Sequence, residues 1–243
     1  MKQRADRLLV QLGHFDSRSA AQAAIEAGCV TASGKPVTRV AQMLSPDEPI
    51  EASPAHPYVS RGGLKLAHGL DTFGVEPYGR DCLDIGASTG GFTDVLLRQG
   101  AACVVAVDVG RDQLHPSLAA DARVTRLEAQ DARTLTPELI GGMPSLLVCD
   151  ASFIALEKLL EVPLSLAADG AELVGLFKPQ FQVGRANVGK NGLVTDAQAT
   201  DRAAKAFETW MAAQRWPIRA WTHSPIRGGD GNAERLFHAC RSD

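Results

Sequence analysis

The sequence predicts an α/β protein: a parallel, doubly wound sheet preceded by a small α+β module. Three observations predict it. Short apolar runs at residues 82–85, 103–108, 122–127, 145–150 and 171–177 alternate with helical segments, the pattern of strands joined by crossover helices. The stretch Asp81–Phe92 reads as strand, glycine turn and helix: apolar up to Ile85, a turn over residues 86–91, then Phe92, Val95 and Leu96 at helical spacing before Gly100. The first 57 residues read instead as two short helices and a hairpin, and they end in Ser53-Pro-Ala-His-Pro57, a linker by its two prolines and lack of periodicity. The expected domains are residues 1–57 and 58–243.

Composition sets the outer bounds. A chain of 243 residues, 45% hydrophobic and 22% charged, with a net charge of -3, can bury a full core and carries no basic tail. No apolar run approaches the ~20 residues that cross a bilayer, and the charged start lacks a secretory core, so the expected setting is cytoplasmic, with no membrane partner. Five cysteines without C-x-x-C spacing read as reduced core residues, and no metal site is expected; His223 and His238 lack ligand spacing.

In the first module, Leu8, Leu9 and Leu12 lie on one helical face that stops at Gly13. Ser17 is a good N-cap for a second helix through Ala21, Ala24 and Ile25 to Gly28. Cys29–Thr31 and Lys35–Val37 flank a Ser33-Gly34 turn, a hairpin signature. Six basic residues face three acidic ones over residues 1–40, a modest excess suited to phosphate contacts.

The glycine turn of the second domain should hold a polar ligand, because such turns bare backbone N–H groups at a helix N-terminus and let a ligand approach the main chain. Asp108 closes the next strand, 22 residues after Gly86, where nucleotide folds place the acid that binds ribose hydroxyls. The dinucleotide spacing G-x-G-x-x-G is absent, and no lysine follows the glycines as a P-loop requires. A cationic donor such as S-adenosylmethionine fits the carboxylates better. Gly86-Ala-Ser-Thr-Gly90 also satisfies the G-x-S-x-G elbow of α/β-hydrolases, and a purely structural turn is a third reading.

Ligands of doubly wound sheets sit beyond the strand C-termini. Asp108, Asp150 and Lys178 each end or follow an apolar strand, so all three should open on one crevice. Pro179 biases Lys178 toward an extended conformation, and an ammonium at an apolar strand end is poorly solvated, which favours proton acceptance from a hydroxyl. Between Lys178 and Lys190 the chain is basic, with Arg185 and several glycines but no acid, as a mobile phosphate-clamping loop would be. Asp196 or Thr195 should cap a helix burying Ala203, Phe207, Trp210 and Met211, and residues 216–221 and 235–240 should close the sheet as a hairpin.

Two resemblances add to this reading. Asp6-Arg7-Leu8, Gly13, Ser17-Arg18, Ala21, Ile25, Gly28-Cys-Val30 and Gly34-Lys35-Pro36-Val37 resemble the S4 RNA-binding module over residues 3–52. That implies an RNA-facing set of Arg4, Arg7, Arg18 and Lys35. Farther on, Arg61-Gly-Gly-Leu-Lys65-Leu, Leu83–Thr93, Val107-Asp108-Val-Gly, Cys149-Asp150-Ala-Ser-Phe153, Leu176-Phe-Lys178-Pro-Gln-Phe181 and Gly231-Asn-Ala-Glu234 occur in an order that resembles the TlyA group of FtsJ-like ribose 2'-O-methyltransferases.

The second resemblance implies a Rossmann-like class I methyltransferase sheet and S-adenosyl-L-methionine as cofactor. It implies a catalytic Lys-Asp-Lys-Glu set at Lys65, Asp150, Lys178 and Glu234, with Lys178 as base and Lys65 orienting the hydroxyl. The cofactor would meet Asp84, Gly86, Ser88, Thr89, Gly90, Gly91, Phe92, Asp108 and Asp131, with Asp84 orienting the loop or meeting the ammonium and Asp131 near the adenine. Arg61, Arg185 and Lys190 join the RNA-facing set. The implied substrate is a cytidine of ribosomal RNA, large subunit first and small subunit second, free or in ribosomal subunits, with no obligate protein partner. The alternatives are a non-catalytic RNA-binding factor and, from a name used for related proteins, a pore-forming haemolysin.

Overall fold

The computed structural model describes residues 2–242, which divide into two compact units, Met1–Pro57 and Tyr58–Asp243. In the first, β1 (Gln3–Arg4), α1 (Ala5–Gln11), α2 (Arg18–Glu26), β2 (Val30–Ala32), β3 (Lys35–Pro36), β4 (Met43–Leu44) and β5 (Ile50–Ala52) follow in order. Ser17 caps α2 by accepting from the Ala20 amide at 3.2 Å, and β2 and β3 pair antiparallel across Ser33 and Gly34, both at positive φ. Leu8, Leu9, Ile25, Val30 and Val37 form its core. Asp6 is fully buried beside it and accepts from Arg4 Nε (3.0 Å), Arg18 Nη2 (2.6 Å) and Gln22 Nε2 (3.2 Å). Those donors, the Arg4 guanidinium first, hold its carboxyl well below the usual range against the opposing effect of burial. Two of the expected RNA-facing arginines, Arg4 and Arg18, therefore also have an internal task, while Arg7 and Lys35 are exposed.

The second unit runs α3 (Gly62–Phe73), β6 (Asp81–Ile85), α4 (Gly91–Arg98), β7 (Cys103–Asp108), α5 (Pro116–Ala119), β8 (Val124–Glu128), α6 (Pro137–Ile140), β9 (Leu146–Cys149), α7 (Leu156–Ser165), β10 (Glu172–Phe177), α8 (Pro179–Gln182), α9 (Ala197–Ala213), β11 (Ile218–His223) and β12 (Arg235–Cys240). One seven-stranded sheet has the order β11-β12-β10-β9-β6-β7-β8; β12 runs antiparallel to both neighbours, and the pairs from β10 to β8 are parallel. The order reverses at β6, whose neighbours are β7 and β9, so the crevice opens beyond the ends of β6, β7 and β9.

Strand periodicity sorts the core into two layers. Leu83, Ile85, Leu147, Cys149 and Leu173 pack with Leu160, Phe207 and Met211 of α7 and α9 on one face; Cys82, Leu146, Val148, Val174 and Leu236 pack with Leu66, Leu70, Phe92 and Leu96 of α3 and α4 on the other. The Asp196 side chain caps α9 through the Ala199 amide at 3.0 Å. All five cysteines are free thiols, and burial pushes those of Cys82 and Cys149 up to about 12.

Candidate active site

Alternation along β6 puts Asp84 on the same face as Cys82, beneath α4, and this decides what it can do. Its side chain is fully buried, Oδ2 accepts from Thr93 Oγ1 at 2.6 Å, and Oδ1 has no hydrogen-bond partner. Burial raises its carboxyl to about 7, with Thr93 opposing and the charge of Asp150 adding. Asp84 lines neither cavity of the crevice. Of the two expected roles, the hydrogen bond with Thr93 fits orientation of the turn, because it ties β6 to the start of α4.

The glycines likewise leave room for protein. A Cβ at Gly86 would stand 3.0 Å from Ala151 Cα, one at Gly90 would strike Leu114 and Leu118, and one at Gly91 would strike Ser60. The missing side chains let the segments carrying Asp150 and Ser60 close on the turn, and Gly86 still lines both cavities described below. Asp94 holds that second segment by accepting the Val59 amide at 2.9 Å. Gly86 and Gly90 also have φ of 82° and 93°.

Two cavities meet at this turn. The larger, about 640 Å³, has an apolar wall of Ile85, Val107, Val109, Ile154 and Leu159, with Asp108 and Asp131 at its polar end. That is the size and character of a small-molecule site. Asp108 accepts from the amides of Ser88 (2.8 Å) and Gly110 (2.7 Å), which leaves carboxylate lone pairs for hydroxyls. Asp131 caps the turn at residues 132–134 and pairs with Arg133 Nη2 at 2.6 Å. A nucleoside with a cationic tail fits this set of carboxylates, apolar wall and backbone turn.

The smaller cavity, about 300 Å³, is lined by Arg61, Lys65, Ser88, Thr89, Phe92, Asp150, Lys178 and Arg227 among others. Gly86, Ser88, Asp150 and Ser152 belong to both cavities and form the seam between them. Lys178 caps α8 in an extended conformation (φ -103°, ψ 108°), as its proline neighbour requires. Its Nζ lies 2.6 Å from Asp150 Oδ1 as an ion pair and donates to Asp150 O (3.2 Å) and Ser152 Oγ (2.9 Å).

Lys65, on the first turns of α3, donates from Nζ to Glu234 Oε2 at 2.5 Å, with both side chains nearly sealed from solvent (10% and 2% exposed). Burial raises the Glu234 carboxyl; Lys65 opposes, and Lys178 and Asp150 also act on it, so the two pairs share one electrostatic neighbourhood. Lys65, Asp150 and Lys178 thus line the smaller cavity, and Glu234 is buried behind Lys65. Glu234 is held by its surroundings: Asn232 donates to Gly192 O and accepts the Val194 amide, both at 2.9 Å, stitching the 189–194 turn to the approach of β12. These bonds fix the chain just after the basic 178–190 segment, in which Arg185 and Lys190 are exposed and line neither cavity.

Sequence reading placed Ser152 and Phe153 in a motif without giving either a role, and it missed Arg227. Phe153 is 91% exposed at φ +67°, on the wall of the larger cavity, with its ring 5.3 Å from that of Phe181. Arg227 reaches the smaller cavity from the glycine-rich 226–231 turn. It also missed that Glu172, His238 and Cys240 bring one ligand atom each within 4.8 Å, since Glu172 is far away in sequence and only β-pairing unites them. Arg80 Nη1 donates to Glu172 Oε2 at 2.5 Å, and Glu172 Oε1 meets His238 Nε2 at 2.9 Å, so the cluster clasps β10 to β12 with its charge already balanced.

Comparison with known proteins shows the family. The FtsJ-like methyltransferase family model matches residues 58–241 and the S4 domain model residues 3–50. The 16S/23S rRNA (cytidine-2'-O)-methyltransferase TlyA of Mycobacterium tuberculosis is 43% identical over 233 residues, 95% of this chain and 87% of that protein. A solved Streptococcus thermophilus structure that carries a hemolysin name covers all of this chain and 89% of its own, at 35% identity and TM-score 0.78. Magnesium protoporphyrin IX methyltransferase of Synechocystis, solved with bound S-adenosylhomocysteine, shares the fold at 16% identity and TM-score 0.51, covering 75% of this chain and 82% of that one.

Proposed function

The chain belongs to the FtsJ-like methyltransferase family, and from that premise we propose that it transfers a methyl group from S-adenosylmethionine to a cytidine 2'-hydroxyl of ribosomal RNA. The observation that carries the reading is the seam: two cavities of different chemistry share Asp150, Ser152, Gly86 and Ser88, and the Lys178–Asp150 and Lys65–Glu234 pairs stand beside it. Donor and acceptor of one group must occupy adjoining compartments. The bound cofactor supplies an electrophilic methyl carbon on a sulfonium that departs as a neutral thioether.

The protein's part is positioning and proton transfer. Asp108 would hold the cofactor's ribose hydroxyls and Asp131 would lie toward the adenine, while Ser88, Thr89 and the turn backbone would hold the methionine end. The 2'-hydroxyl enters from the smaller cavity. As its oxygen bonds to the methyl carbon and the carbon–sulfur bond breaks, its proton would pass to Lys178 Nζ as general base, and the charge gained there would face Asp150. Lys65, fixed by Glu234, steadies the oxygen while it carries negative charge. General-base help is worth ~10²–10⁴-fold, and in-line positioning supplies more. Arg61 and Arg227 flank the smaller cavity as phosphate contacts. Arg7 and Lys35 of the S4 domain, with Arg185 and Lys190, supply backbone contacts.

Family membership removes the hydrolase reading of Gly86–Gly90. The hemolysin name leaves a second reading, but no helix among the described residues is long and apolar enough to cross a membrane. The test is incubation with labelled S-adenosylmethionine and separated ribosomal subunits. Label in large-subunit rRNA, or in both subunits, supports the proposal. Tight rRNA binding with no label in either would leave an RNA-binding factor, and lysis of vesicles without label would favour the hemolysin reading.

A further inference from the structure

We propose that Ser152 is a positioning residue for the transfer, holding the reactive direction of Lys178 Nζ on the seam between the two cavities; this rests on the methyltransferase reading above. Three oxygens surround Nζ: Asp150 Oδ1 at 2.6 Å, Asp150 O at 3.2 Å and Ser152 Oγ at 2.9 Å. The first two belong to a carboxylate and a carbonyl, which only accept. Ser152 alone brings a hydroxyl, which donates as well as accepts. It can accept an N–H from Nζ in either charge state and turn its own hydrogen elsewhere. When Nζ presents a lone pair, Asp150 holds one of the two N–H bonds and Ser152 the other, which leaves the lone pair a single direction in which to meet the substrate hydroxyl.

The backbone holds Ser152 in that place by two separate constraints. Gly86 leaves so little room that a Cβ would lie 3.0 Å from Ala151 Cα and 3.1 Å from Ala151 N, so the 150–152 segment is pressed against the cofactor turn. Directly after it, Phe153 takes a left-handed conformation at φ +67°, which a bulky residue rarely adopts, and the chain turns sharply away. Ser152 is exposed and lines both cavities, so its hydroxyl is not needed to satisfy a buried core.

The test uses the full chain with Ser152→Ala and Ser152→Thr, measured for kcat and for KM toward the rRNA substrate, with cofactor affinity and melting temperature as controls. Ser152→Ala is expected to lower kcat about ten- to a hundredfold, the effect of losing one hydrogen bond to a charged group, while KM, cofactor affinity and melting temperature stay near the parent's values. Ser152→Thr, which keeps the hydroxyl, is expected to restore most of the rate. A parental kcat in Ser152→Ala, a loss carried by KM, or a Thr variant as slow as the Ala variant would each overturn the proposal. These leave the methyltransferase reading intact as long as the parent labels rRNA and Lys178→Ala does not; a parent that transfers no methyl group refutes both.

Discussion

The Lys65–Glu234 pair allows folding and chemistry to be separated by substitution. Nζ and Oε2 stand 2.5 Å apart with side-chain exposures of 10% and 2%, so removing either partner leaves a charge with little water to replace it. Breaking such a pair costs about 3–5 kcal/mol; at about 2–4 °C per kcal/mol for a domain of this size, Glu234→Gln should melt roughly 6–20 °C below the parent. Lys65→Met should cost less, because the carboxyl left behind, already raised by burial, can take a proton. The sign follows: a raised carboxyl binds its proton more tightly folded than unfolded, so the stability of Lys65→Met should fall as pH rises through the folded value. The double variant Lys65→Met, Glu234→Leu replaces both charges with apolar groups and should regain most or all of the lost stability. It should nonetheless transfer no methyl group above background. Thermal melts and labelled-methyl transfer on the three proteins decide the matter; a double variant that folds and transfers at the parental rate would show the pair to be only a structural clasp.

Lys178→Ala should lower kcat by about 10²–10⁴ while leaving the cofactor Kd nearly unchanged, read by single-turnover transfer and calorimetry; a residual rate within tenfold of the parent would remove Lys178 as base. Asp84 has its carboxyl raised to about 7 by burial, so parental stability should decline from about pH 4 to pH 7 as the buried acid is forced to ionise. Asp84→Asn should flatten that decline in urea melts, and an unchanged slope would refute the assignment. Arg7→Ala with Lys35→Ala should weaken rRNA binding and reduce the salt dependence of affinity by about one to two counterions, without altering cofactor affinity; an unchanged salt slope would count against S4-domain contacts.

Strand ends and caps were legible because they follow local rules. Asp108, Asp150 and Lys178 stand at the ends of β7, β9 and β10, the Ser17 and Asp196 caps form, and the final hairpin closes the sheet. The burial of Asp84 was also legible, since period two places it with Cys82 on the α4 face, and its bond to Thr93 fits the loop-orienting role among the two expected. The glycines illustrate a limit: their spacing announces a tight turn without telling whether ligand or protein fills the space. Ser152 and Arg227 lie in loops whose paths depend on Phe153 taking a left-handed conformation and on the 226–231 turn, neither of which residue type specifies. The Glu172–His238–Cys240 cluster depends on β10–β12 register, a long-range pairing no local window contains.

The central claim is that the seam delivers its methyl group to a sugar oxygen. Alkaline hydrolysis cuts RNA through a free 2'-hydroxyl, so labelled product rRNA should yield its label in an alkali-resistant dinucleotide with 2'-O-methylcytidine on the 5' side. Label released in ordinary mononucleotides, the outcome of methylation on a base, would contradict the account.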